Sequence, residues 1–189
     1  MGVEEEFLRY VKLLYERGYL TLLSGNVSLR VGDKVLVTPT TRPKPFLTVD
    51  DLVWIDLEGR VVKGGLKPTS EWRMHVAIYR RRPDVNAVVH VHDILPTVLA
   101  ERLNPSLLSE AELQLGTEIA VVPYIQPGTA ELAEAVASAL ERRNAAVLKR
   151  HGVVTVGRDL AEAVNRAEVV SDVAKATLYS LIASKLWSA

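Results

Sequence analysis

Hydrophobic residues recur along the chain with two different spacings. Some segments have a spacing close to the helical repeat, and others have a spacing of about two residues, which is typical of strands. The spacing of Phe7, Val11 and Leu14 predicts an amphipathic helix over residues 3–17. The same reasoning predicts further helices over residues 70–81, from about 96, over 129–143 and from 160 onwards. Apolar runs predict strands over residues 27–29, 35–37, 52–57, 60–62, 87–92, 119–122, 145–148 and 153–156.

The turns between neighbouring strand patterns indicate the kind of sheet. Gly32-Asp33 and Glu58-Gly59 are tight turns, and such hairpins join antiparallel strands. No repeat or low-complexity tract interrupts the pattern, and 189 residues suit one domain. We therefore predict a single domain over residues 1–189 with an α/β fold, in which helices pack on a largely antiparallel sheet.

For two of the helices the sequence also predicts a cap or a buried face. Ser70 is predicted to be the N-cap of the helix over residues 70–81, which places Glu71 in the first helical turn. The apolar positions of the last helix, from Leu160 to Ile182, are expected to form one buried stripe.

Composition narrows the classes of function. The chain has 23 basic and 23 acidic residues and no long basic stretch, so we expect no nucleic-acid partner. Cysteine is absent, which leaves histidine and carboxylate as the metal ligands to consider. Glu4-Glu5-Glu6 stand where a secretory signal is basic, and no uncharged apolar run approaches the roughly 18 residues of a membrane span. These features favour a cytoplasmic enzyme without a membrane partner.

Three of the four histidines fall near strand ends. His90 and His92 are two residues apart on a predicted strand and therefore point to the same face, and His151 follows a later strand. A His-x-His pair alone is a weak signal, but a third imidazole would complete an open site of the catalytic kind. His75, four residues after Glu71, is interpreted as a packed or supporting histidine rather than a ligand.

Glu71 gives this group a candidate base. An acidic residue at a helix start usually just favours the helix dipole. Beside a metal-bound carbonyl, however, the same carboxylate can remove the proton from the adjacent carbon. Glu71 and the three histidines together therefore predict carbon-acid chemistry.

Three polar turns suggest where an anion binds. Each of Ser24-Gly25-Asn26, Thr38-Pro39-Thr40-Thr41 and Thr69-Ser70 is most often only a turn or a cap. If they meet in space, their hydroxyls, the Asn26 amide and the helix-start N–H groups form an anion site without a lysine. Such a site suits a phosphorylated substrate.

With these motifs the chain resembles the class II aldolase/adducin family and, within it, the L-fuculose-1-phosphate aldolases. The matching segments appear in family order over about nine tenths of the chain and are specific only when taken jointly. They are Ser24-Gly25-Asn26-Val27-Ser28, Val37-Thr38-Pro39-Thr40, Pro68-Thr69-Ser70-Glu71-Trp72-Arg73-Met74-His75, Arg82-Pro83-Asp84-Val85-Asn86-Ala87-Val88-Val89-His90-Val91-His92 and His151-Gly152.

The resemblance implies a three-layer α/β/α fold with a central, mainly antiparallel sheet, and homotetramers with active sites between subunits. It also implies one zinc ion per subunit on His90, His92 and His151, with manganese or cobalt as other metals to consider. Glu71 would be the acid/base and would also approach the metal. The phosphate-binding positions would be Gly25, Asn26, Thr40, Thr41, Thr69 and Ser70.

The family reaction is reversible cleavage of a ketose 1-phosphate to dihydroxyacetone phosphate and a short aldehyde, which is L-lactaldehyde for L-fuculose 1-phosphate. This chain departs from the bacterial aldolase in three respects. Thr41 replaces a glycine, a tyrosine proton donor is missing near Ser109 or Glu110, and the longer tail that helps to close the bacterial site is missing beyond Ala189. Tyr124 is a candidate replacement donor, although a packed strand-end tyrosine is the simpler interpretation.

Two alternatives share this scaffold. Sugar-phosphate 4-epimerases and methylthioribulose-1-phosphate dehydratases resemble the same pattern, but the epimerases usually have aspartate at the position of Glu71. A non-enzymatic interaction module like the adducin head domain would lack the metal set, which this chain retains.

Overall fold

The sheet is the centre of the fold. The computed structural model describes residues 2–187, and these form one eight-stranded sheet. Its strands are β1 (Asn26–Val31), β2 (Lys34–Val37), β3 (Val53–Asp56), β4 (Val61–Lys63), β5 (Ala87–Val91), β6 (Ala120–Val122), β7 (Ala145–Leu148) and β8 (Gly152–Gly157). Their spatial order is β4-β3-β2-β1-β5-β8-β7-β6. Neighbouring strands are antiparallel except β6 and β7, which confirms the predicted sheet.

Helices cover both faces of this sheet. They are α1 (Val3–Glu16), α2 (Trp72–Arg81), α3 (Ile94–Val98), α4 (Ser109–Leu115), α5 (Ala130–Ala139) and α6 (Leu160–Trp187). Short 3-10 helices span Lys44–Phe46, Val49–Asp51 and Pro105–Leu107. Of the described helices, none combines the length and the apolar character needed to cross a bilayer.

Side-chain alternation along the strands produces two separate cores. Val27 and Val89 pack with α1, α4 and α6 on one face, whereas Val88 and Val154 pack with α2 and α5 on the other. Each core excludes water from one face of the sheet, so the predicted α/β/α layering is confirmed. The face toward α2 and α5 also carries the chemistry, because Asn26 and His90 lie opposite each other on it.

Three helix predictions were wrong in detail. The helix predicted over residues 129–143 is α5, which already ends at Ala139. Helix α2 begins at Trp72, and its N-cap is Glu71 rather than Ser70. In α6 burial ends near Thr177, and the side chain of Ile182 is 47% exposed. Periodicity identified a continuous helix correctly, but the last turns of α6 continue past the layers against which its first half packs. The expectation about a tail beyond Ala189 lies outside the described residues.

Candidate active site

Three imidazoles meet at one end of the central strands. His90 lies on β5, His92 follows the end of that strand, and His151 ends the turn between β7 and β8. The Nε2 atom of His90 is 3.1 Å from Nε2 of His92 and 3.3 Å from Nε2 of His151. One ligand atom from each of the three residues lies within 4.8 Å of the other two. The structure therefore brings the predicted metal-binding histidines together.

The turn before β8 brings His151 to the other two. Arg150 has φ +63°, a left-handed conformation that reverses the chain just before His151. Gly152 then lies directly against β5, where a Cβ atom would come within 2.2 Å of the Val91 carbonyl oxygen and 3.2 Å of Cε1 of His90. A glycine is therefore required at position 152, because the backbone of β8 and the His90 ring share this space.

Hydrogen bonding and burial set the chemical state of the histidines. Nδ1 of His90 donates to the Val153 carbonyl oxygen, which leaves the Nε2 lone pair for a cation. Burial lowers the pKa of His90 well below its usual range, and the charges of His151 and His92 lower it further. Burial likewise lowers the pKa of His92. Neutral imidazoles are the form that binds metals.

The donor set matches the geometry of a small divalent cation. Two nitrogens at about 2.05 Å from one tetrahedral zinc ion are about 3.3 Å apart, which agrees with the Nε2 separations of 3.1 and 3.3 Å here. A carboxylate oxygen beside the histidines also lacks a partner: Oε1 of Glu71 is buried and accepts no hydrogen bond from the described residues. The residues thus fit a metal site with an adjacent carboxylate.

Glu71 contacts both sides of the histidine group. Its side chain is buried, with Oε2 at 3.2 Å from Nε2 of His90 and Oε1 at 3.6 Å from Nε2 of His151. Glu71 is the N-cap residue of α2, but its carboxylate makes no capping hydrogen bond and lies against His90 of β5 instead. In addition, the backbone N–H of Glu71 donates to the Thr69 hydroxyl.

A chain of buried hydrogen bonds runs from the Glu71 carboxylate to Tyr79 and holds the carboxylate in position. The Asn26 amide donates to Oε2 of Glu71 at 3.1 Å, and its carbonyl oxygen bonds Nε2 of His75. Nδ1 of His75 lies 2.6 Å from the Ser28 hydroxyl, which lies 2.7 Å from the Tyr79 hydroxyl. All four partners fit one assignment in which Tyr79 donates to Ser28, Ser28 to His75, and His75 to Asn26. This arrangement agrees with the supporting role predicted for His75.

A cavity of about 350 Å³ opens beside these groups. Its walls include Glu71, His92 and His151 together with five of the six predicted phosphate-binding residues, namely Gly25, Asn26, Thr40, Thr69 and Ser70. Thr41, the sixth, is exposed, has φ +58° and is not among the lining residues, so its phosphate-binding role stays a prediction. The left-handed backbone there is of the kind that glycine adopts without strain.

Sequence reasoning missed one charged residue of this cavity. Lys44 lines it, although the anion site was expected to contain no lysine. The residue lies between Pro43 and Pro45 in a segment without helical or strand periodicity, so no local pattern marked it as buried.

The residues considered for proton donation lie outside this cavity's lining. Tyr124 is 46% exposed, its hydroxyl donates to Gln126, and the guanidinium of Arg150 lies 4.5 Å from its ring centroid. Ser109 and Glu110 belong to α4 and line a different cavity, against α6. Tyr124 is thus an exposed residue beside Arg150 rather than a packed one, and its role as a proton donor stays a prediction.

Comparison with known proteins agrees with this architecture. The sequence profile of the Class II Aldolase and Adducin N-terminal domain matches residues 5–178. The L-fuculose phosphate aldolase of Methanocaldococcus jannaschii is 39% identical over 188 residues, which cover 96% of this chain and 99% of that protein. The 3-oxo-tetronate 4-phosphate decarboxylase of Haemophilus influenzae is 34% identical over 183 residues, covering 93% and 86% of the two chains. A solved L-fuculose 1-phosphate aldolase superposes with a TM-score of 0.86 at 32% identity, covering 96% of this chain and 86% of that one.

Proposed function

The chain belongs to the class II aldolase and adducin family, and we propose that it is a zinc-dependent aldolase acting on a ketose 1-phosphate such as L-fuculose 1-phosphate. It is an enzyme of the lyase class, as its aldolase homologues are. In the proposed reaction the sugar phosphate is cleaved reversibly to dihydroxyacetone phosphate and a short aldehyde, which is L-lactaldehyde for this substrate.

One observation carries the proposal: the two oxygens of a buried carboxylate flank the point where three imidazole nitrogens converge. Glu71 lies 3.2 Å from His90 and 3.6 Å from His151, and its Oε1 has no hydrogen-bond partner among the described residues. A packed helix cap or a core histidine cluster would not require an unsatisfied buried oxygen.

The proposed roles follow from the positions. His90, His92 and His151 hold the cation, and Glu71 approaches it. When bound, the zinc ion supplies Lewis-acid stabilisation of the negative charge that develops on the oxygens of an enediolate. Glu71 exchanges the proton at the carbon next to the carbonyl: it protonates that carbon after cleavage and removes the same proton in the synthetic direction.

The other end of the substrate would lie against the polar turns. We assign its phosphate to the wall of the cavity formed by Gly25, Asn26, Thr40, Thr69 and Ser70, with Thr41 as a further predicted contact. Gly25 has φ +81°, and a Cβ atom at this position would meet the Leu20 side chain and, at 3.0 Å, the His90 carbonyl oxygen. Glycine therefore allows this turn to lie directly against the metal-binding strand.

A second candidate function is another reaction of a sugar phosphate on the same scaffold. The similarity to a 3-oxo-tetronate 4-phosphate decarboxylase supports it, since decarboxylation would also pass through a stabilised carbanion. Epimerisation of a sugar phosphate and dehydration of methylthioribulose 1-phosphate are further alternatives. Glutamate at position 71 favours the aldolase over the epimerase, and the intact histidine set favours either over an adducin-like interaction module.

We also propose one class II aldolase domain over residues 1–189, a cytoplasmic location, and a homotetramer with active sites between subunits. Helix α3, which begins two residues after His92, supports the assembly. Its apolar side chains Ile94 and Val98 are 77% and 74% exposed, so they are free to contact another subunit. Light scattering on the purified protein tests the tetramer.

Substitution of the assigned base tests the function. The metal-loaded Glu71→Gln variant should keep its zinc but cleave L-fuculose 1-phosphate about 10²–10⁴-fold more slowly, because the amide cannot exchange the proton. Glu131→Gln, an exposed change in the first turn of α5, is the control. Cleavage by Glu71→Gln at the wild-type rate would reject the assignment. Conversion of L-ribulose 5-phosphate to its epimer, without release of dihydroxyacetone phosphate from L-fuculose 1-phosphate, would favour the alternative.

A further inference from the structure

Lys44 is a buried cation in the wall of the active-site cavity. It opens the 3-10 helix Lys44–Phe46, and only 2% of the residue is exposed. Among the residues that the structure describes, it is the one buried lysine. Of the residues that line the cavity, Lys44 carries the amine and Glu71 the carboxylate, and the other lining residues are histidines or have uncharged side chains.

Its ammonium has few partners for a buried charge. Nζ donates to the Leu23 carbonyl oxygen at 3.2 Å, and an ammonium has three N–H groups to donate. The lysines Lys63 and Lys175 pair with acidic side chains at the surface, whereas Lys44 makes no ion pair within residues 2–187. Burial lowers the pKa of Lys44, because removal from water penalises the charged form. Such a cation is stabilised most by an anion entering its cavity.

The surroundings of Lys44 fit a phosphate. The same cavity is lined by the hydroxyl-bearing residues Thr40, Thr69 and Ser70 and by the Gly25 turn, all of which can donate to anionic oxygens. Lys44 lines the same cavity as the metal-binding residues His92 and His151, so one ligand in this cavity can reach both the ammonium and the metal-binding group. A substrate that spans from the metal to the polar turns would bring its phosphate into the same cavity wall.

We propose that the Lys44 ammonium is the counter-charge for the substrate phosphate, and that it makes the site selective for phosphorylated over unphosphorylated ketoses. The inference rests on the proposed function for the identity of the substrate, but not for the binding of phosphate itself. With Lys44, the anion site contains a positive charge in addition to the neutral donors of the polar turns. Charge-assisted hydrogen bonds are roughly twice as strong as neutral ones.

Binding of inorganic phosphate to the zinc-loaded full-length protein, measured by calorimetry, tests this role. Lys44→Met keeps most of the aliphatic volume and removes the charge, while Lys44→Gln also keeps a donor for the Leu23 carbonyl. Both should weaken phosphate binding at least tenfold, with zinc content unchanged. Lys67→Met is the matched control, because Lys67 is exposed near Thr40 and is not among the lining residues. Phosphate binding by Lys44→Gln within twofold of wild type would overturn the proposal.

Kinetics separate selectivity from a structural role. In the synthetic direction, Lys44→Gln should raise the KM for dihydroxyacetone phosphate at least tenfold and leave activity with dihydroxyacetone within about twofold. Equal losses with both donors would contradict the proposal, because a lysine that only holds the Leu23 turn would affect both alike. If wild type binds phosphate through Lys44 but cleaves no ketose phosphate, the proposed function fails and this inference stands. If it cleaves the ketose phosphate but binds phosphate independently of Lys44, the proposed function stands and this inference fails.

Discussion

The Nδ1 atom of His90 lies 3.0 Å from the carbonyl oxygen of Val153, on the strand that pairs with its own. This bond couples the backbone of β8 to the ring orientation of a residue on β5. It fixes the proton on Nδ1, so Nε2 faces His92, His151 and Glu71 as a lone pair. The sheet register thereby sets the chemical state of the metal-binding group.

Removal of the metal should destabilise the protein. A cation at about 100 times its dissociation constant adds about 2.7 kcal/mol to the free energy of unfolding. For a chain of this size that corresponds to a fall in Tm of about 5–10 °C on chelation. Differential scanning calorimetry with zinc and with excess chelator measures it. His151→Asn should show little difference between the two conditions, and equal melting of the wild type in both would contradict a bound metal.

Replacement of Asn26 by aspartate should impair the assigned base. Asn26 donates to Oε2 of Glu71, and a carboxylate in its place would remove this donor and repel the Glu71 carboxylate from its position beside the histidines. We therefore expect kcat for cleavage to fall at least tenfold. Asn86→Asp, which changes an asparagine bonded to Arg30, is the control. A kcat within twofold of wild type for Asn26→Asp would show that the amide does not act on Glu71.

His75 should make the metal-free protein sensitive to acid. Burial lowers its pKa to about 3, so the folded chain leaves it neutral while the unfolded chain protonates it below about pH 6.5. The unfolded state therefore binds more protons, and stability falls as pH drops below 6.5. Between pH 7 and 5 this group alone accounts for a loss of about 2 kcal/mol.

Urea unfolding of the metal-free protein at both pH values measures this effect. His75→Gln keeps groups able to bond Asn26 and Ser28 but does not titrate, so its stability should depend less steeply on pH. The expected difference in slope is the contribution of His75, since His90 and His92 remain in both proteins. Identical pH dependence in the two proteins would refute the assignment.

An added methyl group at Gly152 should disrupt the metal site. The Cβ atom would meet the Val91 carbonyl oxygen at 2.2 Å and the His90 ring at 3.2 Å, so the strands must separate. We expect Gly152→Ala to lose about 1–3 kcal/mol of stability and to bind zinc at least tenfold more weakly. Gly65→Ala is the control, because nothing lies within 4 Å of its added Cβ. Zinc affinity equal to wild type in Gly152→Ala would contradict this account.

Local patterns were sufficient for most of the fold. Apolar runs predicted each of the eight strands, and the tight turns at Gly32-Asp33 and Glu58-Gly59 predicted antiparallel pairs. The pattern did not predict α4, and it extended the buried stripe of α6 too far. Periodicity reports which side of an element is apolar, whereas burial depends on whether another layer covers that side.

The sequence by itself determined most of the elements, the presence of a histidine set with a nearby carboxylate, and the resemblance that implied their roles. Only the tertiary structure decided that Asn26 bonds Glu71 and His75 at once, that Thr41 is exposed, and that Lys44 lines the cavity. The reason is that periodicity and turn residues act over a few neighbouring positions. The meeting of Lys44, Glu71 and His151, in contrast, depends on strand order and on how long connections close over the sheet.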